Sequence, residues 1–274
     1  MKIVTCIKQV RDLDIILSKD WVVDEDSKSV NIDYANTIIN TYDENALEMM
    51  LRLSDYDNNI ETIALTIGDN NRDKILRKAL AVKTDNAIRI EYDKELNFHP
   101  IETATMIKKG IEKIEDVQMV MCGRQASIGD NGQTGLILAE MLGWPCISLV
   151  TDIVGKDDKI LVTHQVENGL ETLEVKLPVV LTVTQSPDKF LRMATIKDVI
   201  SAKKKDIFVW NLSDLDIQED DLFKSNGFKL KRIYTNEQDK ECKIIEGQTS
   251  EQKARQFCDE LTKYEQEIKA YENK

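Results

Sequence analysis

Val117-Gln118-Met119-Val120-Met121-Cys122-Gly123-Arg124-Gln125-Ala126-Ser127-Ile128-Gly129-Asp130-Asn131-Gly132-Gln133-Thr134-Gly135 is the stretch on which the fold turns. It opens with an apolar run of the length of a buried strand. A loop with glycines at 123, 129, 132 and 135 follows, and a helix-like segment runs from about Thr134 to Leu142. Strand, Gly-rich loop and helix in that order place backbone N–H groups and a positive helix end on one spot. The carboxyl ends of parallel strands are where open α/β sheets take their ligands. Glycines let the backbone approach an anion closely, and a nucleotide phosphate is the natural occupant. The spacing matches neither the Walker P-loop nor G-x-G-x-x-G, so a Gly-rich turn without a ligand is the competing reading.

Upstream, apolar strand-like runs alternate with helical ones. KIVTCI (2–7) and ETIALTIG (61–68) read as strands, as does NAIRI (86–90). Between them, about Asp43 to Asp55 carries Ala46, Leu47, Met50 and Leu51 at helical spacing, with Asp43 or Thr41 as the cap. Residues 71–81 and 101–115 are also helical, the latter with Ile101, Ala104, Ile107, Ile111 and Ile114 on one face. WVVDEDSKSVNI (21–32) reads as two short extended pieces around a polar turn. This alternation predicts a Rossmann-like α/β fold, an open and mostly parallel sheet with helices on both faces. Downstream, CISLVTDIV, KILVTHQV, GLETLEVKLP and VVLTVTQS are strand-like, with turn signals at 155–158 and at Asn168-Gly169. They predict an antiparallel ribbon added to the parallel sheet. A helix is expected at about 195–203.

The 274 residues carry 37 basic and 49 acidic side chains, a net charge of −12, so a nucleic-acid backbone is an unfavourable partner. No apolar run approaches the ~20 residues of a membrane helix, so membrane insertion is not expected. The N-terminus reads as a first strand rather than a signal peptide. Five cysteines, an odd number without a C-x-x-C pair, argue against a disulfide framework and for a cytoplasmic location. Two histidines, His99 and His164, and no Cys/His cluster give no metal site, and no nucleophile elbow marks a catalytic serine.

Several blocks in order carry a resemblance: K-I-V-T-C-I-K-Q-V-R-D at the start, G-R-Q-A-S-I-G-D-N-G-Q-T-G in the loop, then L-G-W-P, G-L-E-T-L-E-V-K-L-P and R-M-A-T-I-K-D-V-I-S-A-K-K-K. Over roughly residues 1–210 the chain resembles the electron-transfer flavoprotein β subunit. The resemblance implies a heterodimer with an α subunit and an FAD held with that subunit. This FAD passes electrons between a dehydrogenase, an acyl-CoA or other flavin dehydrogenase, and an acceptor. It implies an electron carrier rather than an enzyme, with a nucleotide in the β subunit itself, AMP or, in electron-bifurcating members, a second FAD. Carried over residue by residue, the nucleotide site falls on Cys6, on Asn40, Thr41, Tyr42 and Asp43, on Ile67, and on Gly123, Arg124, Gln125, Ala126, Ser127, Gly129, Asp130, Asn131, Gly132, Gln133 and Thr134. Tyr42 keeps an aromatic at one flavin-facing position, and Leu13 departs from it at another. The family's partner-recognition anchor falls on Ile196 in Ala194-Thr195-Ile196, where starting the core face of the next helix is the alternative role.

An adenine-nucleotide sensor or stress protein of similar architecture, without electron transfer, is the other class of function. It leaves the blocks after residue 144 unexplained. Beyond Trp210 the chain turns acidic (SDLDIQEDD), which sets residues 1–220 as a nucleotide-binding domain and 221–274 as a C-terminal arm. In that arm Ala254, Phe257, Cys258, Leu261, Tyr264, Ile268 and Tyr271 recur at helical spacing, an amphipathic helix expected to pack on the partner subunit.

Overall fold

The apolar residues Ile3 and Val4 of the first strand face opposite sides of a sheet, and each anchors a separate core. The computed structural model describes residues 1–17, 20–156, 159–188, 190–223, 230–234 and 242–272. In chain order the elements begin β1 (Lys2–Cys6), β2 (Gln9–Arg11), β3 (Val22–Asp24), β4 (Ser29–Asn31), β5 (Thr37–Ile39) and α1 (Thr41–Tyr56). They continue with β6 (Glu61–Gly68), α2 (Asp73–Ala81), β7 (Asn86–Glu91), α3 (Pro100–Lys113), β8 (Val117–Gly123) and α4 (Thr134–Leu142). The second half holds β9 (Cys146–Lys156), β10 (Lys159–Val166), β11 (Gly169–Val175), β12 (Val179–Val183), α5 (Ile196–Ala202), β13 (Phe208–Trp210), α6 (Glu219–Leu222) and α7 (Ser250–Glu272).

The main sheet runs β11-β10-β9-β12-β8-β1-β6-β7-β13. From β9 to β13 every pairing is parallel, and β10 and β11 extend the edge antiparallel. The Rossmann-like reading and the added ribbon are thus both found. From β1 the chain steps to β6 and β7 on one side, then returns across β1 to β8. Right-handed crossovers put the helices of the two directions on opposite faces. Accordingly Ala46, Leu47 and Met50 of α1 and Leu76 and Leu80 of α2 pack with Ile3, Ala64, Met119 and Leu181 in one core. Ala104, Ile107 and Ile111 of α3 and Leu138 of α4 pack with Val4, Leu65, Ile90 and Val120 in the other. Ile101, read from its spacing as part of that face, is 36% exposed, because it sits in the first turn of α3.

The hairpin signal at Asn168-Gly169 gives the β10–β11 hairpin, with Gly169 (φ +154°) already paired to Val166 as the first strand residue. At the other expected turn, Gly155 and Lys156 remain in β9 opposite Ile160 and Lys159, while 157 and 158 lie outside the described residues. β3 and β4 form the small antiparallel pair expected around 21–32, and β2 pairs with β5. A first compact unit runs from Met1 to Ile233, with Leu215, Ile217 and Leu222 buried in its second core. The second unit, Tyr234–Lys274, carries α7, on which Phe257, Leu261 and Tyr264 are exposed; the side chains of Ile268 and Tyr271 lie outside the described residues. Among the described residues no helix is long and apolar enough to cross a membrane.

Candidate functional site

At the carboxyl ends of β1 and β8 the chain leaves the sheet toward opposite faces, into α1 from one strand and α4 from the other. This is a topological switch point, the place where an open α/β sheet splits to admit a ligand. A cleft of about 600 Å³ opens there. Cys6 and Cys122, register partners on β1 and β8, lie in its floor, and Ile67 and Gly68 extend it along β6. The hydrogen bond with Cys6, and then burial, push the Cys122 thiol well above its ordinary range, which keeps it protonated at neutral pH. Two sulfur side chains and Ile67 give this floor little polarity, which suits a flat heteroaromatic ring.

Two residues before and within the first turn of α1 shape the rim. The helix starts at Thr41, with Asn40 in the cap position; neither Thr41 nor Asp43 caps it. The backbone carbonyl of Asn40 takes the N–H groups of Asp43 and Glu44 (2.9 Å each), which frees the Asn40 side chain for other work. Its Nδ2 donates to the Gln125 carbonyl (2.8 Å) and its Oδ1 accepts from the Ser127 N–H (3.2 Å). Asp43 is buried, and its carboxylate accepts the N–H of Lys8 (2.8 Å) and that of Gly123 (2.9 Å). One carboxylate thus ties the chain after β1 to the end of β8. A Cβ at position 123 would stand 2.2 Å from Asp43 Oδ1, so glycine is required for this approach. Burial raises the Asp43 carboxyl to about 7, against the pull of the N–H donors and the nearby Lys8 ammonium.

The Gly-rich loop is fixed at its far end as well. Gly129 adopts φ +91° with its Cα against the Asn97 carbonyl, where a Cβ would lie 2.5 Å from the oxygen. Asn131 Nδ2 donates to the same carbonyl (3.4 Å). Asp130, exposed at φ +41°, lies at the cleft edge. Thr134 and Gly135 open α4, whose first-turn N–H groups have no partners within the helix. Arg124 lies over the Tyr42 ring (5.3 Å) and donates from Nε to Gln125 Oε1 (2.7 Å).

Of the residues singled out from the sequence, Cys6, Asp43, Ile67, Gly123, Arg124, Gln125, Ala126 and Asp130 to Thr134 line the cleft. Asn40, Tyr42, Ser127 and Gly129 stand behind the rim and hold it, and Thr41 is exposed at the start of α1. Among the lining residues that escape sequence reasoning are Lys8, Arg72 and Asn97. Arg72 folds across Gly68, and Lys8 sits just past β1, inside the K-I-V-T-C-I-K-Q-V-R-D block but not among the site residues carried over from it. Ile196 lies apart from the cleft-lining residues, at the first position of α5 and 82% exposed, so its role as a core residue of that helix is excluded.

Comparison with known proteins shows the family. The family profile described as electron transfer flavoprotein domain matches residues 29–215. The chain belongs to the electron transfer flavoprotein family. Several of its relatives in that family are named subunit beta. This electron transfer flavoprotein chain is 29% identical over 260 residues to the electron transfer flavoprotein subunit beta of Methylophilus methylotrophus, covering 93% of this chain and 96% of that one. It is 34% identical over 197 residues to the Bos taurus subunit beta, covering 71% and 76%. It is also 31% identical over 215 residues to the caffeyl-CoA reductase-Etf complex subunit CarD of Acetobacterium woodii, covering 78% and 80%.

Proposed function

We propose that this chain is the β subunit of a heterodimeric electron carrier whose cleft at the β1/β8 switch point holds an adenine nucleotide, AMP or a second FAD. The observation that carries the proposal is the Gly-rich loop, which is stapled by Asn40 and Asp43 directly over the carboxyl edge of the sheet. Backbone N–H groups of the loop and of the first turn of α4 would take the phosphate. The weakly polar floor of Cys6, Cys122 and Ile67 suits the adenine. FAD held with an α subunit supplies the electron transfer; this chain binds, orients and shields, and performs no bond chemistry of its own.

Ile196 is the proposed anchor for a flavin dehydrogenase. Thr195 and Asp198 form a capping box that holds Ile196 on the outer side of α5, beside Met193 (95% exposed). Arg192 fixes the preceding segment to Glu48 of α1 through three groups: its N–H (2.9 Å), Nε (3.0 Å) and Nη2 (2.7 Å). An apolar side chain displayed on a fixed turn is what docking into a pocket requires. Of residues 221–274, read from the sequence as an arm, Leu222 is buried in the first unit, and the proposed arm onto the α subunit is the second unit, residues 234–274; the free cysteines fit a cytoplasmic protein.

The test is co-expression with the α subunit, heat release of bound nucleotides and their separation by chromatography. FAD with an equal amount of AMP supports the carrier with a nucleotide-filled β cleft, and a doubled FAD content supports a second flavin there. A colourless chain that binds ATP without an α subunit refutes the proposal in favour of a sensor.

A further inference from the structure

The Lys8 side chain reaches into the cleft and meets two loops far apart in the sequence. Its Nζ donates to Asn97 Oδ1 (2.7 Å), on the segment between β7 and α3, and to the Ile128 carbonyl (3.0 Å), in the middle of the Gly-rich loop. Its backbone N–H is at the same time bound to Asp43. An ammonium has three donors, so one remains for the cleft that Lys8 lines. Around the pair, Gly129 packs against the Asn97 carbonyl and Asn131 donates to it.

We propose that Lys8 is a positioning residue for the nucleotide site: it clamps the Gly-rich loop to the 93–99 segment, so that the loop's N–H groups stand in place before a phosphate arrives. The inference rests on the reading of the cleft as a nucleotide site. Two of the loop's attachments are fixed from the α1 side by Asn40, at residues 125 and 127. From residue 128 onward the loop turns away from α1, and there Lys8 and Asn97 take over. Without the ammonium, the Ile128 carbonyl loses a charge-assisted donor and Asn97 its link to the floor. The loop would then have to be ordered at the expense of ligand binding.

The charged groups facing Lys8 are Asp43 from α1, Glu95 from the same segment as Asn97, and Arg72 from the turn after β6. Burial lowers the Lys8 ammonium below its ordinary 10.5 despite the two carboxylates. Raising the pH therefore discharges the clamp earlier than an exposed lysine would be discharged.

The experiment uses the heterodimer with the α subunit, freed of the β-cleft nucleotide, and titrates AMP and FAD by calorimetry against wild type, Lys8→Met and Asn97→Ala. At pH 8 each variant is expected to bind ten- to a hundredfold more weakly. As pH rises above 8 the gap between wild type and Lys8→Met should narrow, because the wild type loses its charge and the variant has none to lose. A pure packing role would leave that gap constant with pH. Asn97→Ala, which keeps the ammonium beside Asp43, separates loss of the clamp from a change in the Asp43 charge. Wild-type binding with unchanged affinity in both variants overturns the clamp and leaves the nucleotide site standing. A wild-type complex that binds neither AMP nor FAD overturns both. Should Lys8→Met fail to assemble, Asn97→Ala removes the same link from the far loop and decides alone.

Discussion

Replacing Asp43 by Asn should remove a pH dependence of stability that wild type shows, and so invert the order of the two stabilities as pH rises. The carboxylate accepts N–H groups on both oxygens, from Lys8 at 2.8 Å and Gly123 at 2.9 Å. The amide keeps one acceptor and turns an NH₂ toward the other N–H, leaving a buried donor unsatisfied, at a cost of about 1–3 kcal/mol. At low pH the variant is therefore less stable by that amount. The carboxyl itself, ordinarily near 3.8, is held at about 7 by burial. A folded-state value raised above the unfolded one gives stability that is present below the unfolded value and lost as pH rises through the folded one. At about 1.36 kcal/mol per pH unit, wild type loses about 4 kcal/mol between pH 4 and pH 8 through this group, and the variant loses nothing. The order of stabilities should reverse between about pH 4.5 and about pH 6, where the loss in wild type equals the 1–3 kcal/mol cost of the amide. Urea midpoints of both proteins, at one fixed protein concentration from about pH 4 to about pH 8.5, check this. A gap constant with pH, or one that widens in favour of wild type as pH rises, shows that the two N–H donors and Lys8 outweigh burial and refutes the reasoning.

Arg192→Ala should cost about 3 kcal/mol, since it leaves the buried Glu48 carboxylate with a single remaining donor, and the fall in melting temperature is the measurement. The same variant should weaken dehydrogenase docking, read from electron-transfer rates at limiting carrier, because Arg192 anchors the segment leading to Ile196. Asp130→Asn should leave nucleotide affinity within about fivefold, since asparagine tolerates the φ of +41° and a solvated charge 4 Å from a phosphate is worth only about 1 kcal/mol. A stronger rise in affinity at low salt means that the carboxylate faces the phosphate. Deleting residues 250–274 should weaken association with the α subunit at least tenfold by titration while leaving the melting of the α/β unit unchanged. Unaltered association assigns the exposed Phe257, Leu261 and Tyr264 another role.

Periodicity made the fold legible because each main-sheet strand before residue 124 is a short apolar run set between helices whose buried stripe repeats at helical spacing. The helix bounds at 41, 73, 100 and 134 fall within a few residues of those read from the sequence. Side-chain orientation at element ends was not legible. Ile101 continues the apolar stripe of α3 yet lies in its first turn, beyond the partner helix that covers Ala104 and Ile107. Ile196 was ambiguous in the same way, and the capping box at Thr195 and Asp198 decides that it faces outward. The cap of α1 was misplaced because an asparagine at residue 40 looks like a side-chain cap only when no loop competes for it, and here Gln125 and Ser127 do.

The same competition explains which site residues a motif can reveal. A phosphate loop built from backbone N–H groups owes its affinity to holding those groups still before the ligand arrives, since ordering them afterwards subtracts from binding. Glycines mark where the backbone must bend or come close, and so the loop itself stands out in the sequence. The groups that hold it still are side chains from elsewhere: Asn40 and Asp43 from the start of α1, Lys8 from the end of β1, Asn97 from the turn before α3. Their hydrogen bonds to the loop span 34 to 120 positions along the chain, from Asn97 with Asn131 at the narrowest to Lys8 with Ile128 at the widest. No local pattern can announce such partners. They meet only because the order of the strands reverses at β1, which brings the carboxyl ends of β1, β6 and β8 side by side and leaves a single place where residues so far apart in sequence can converge on one loop.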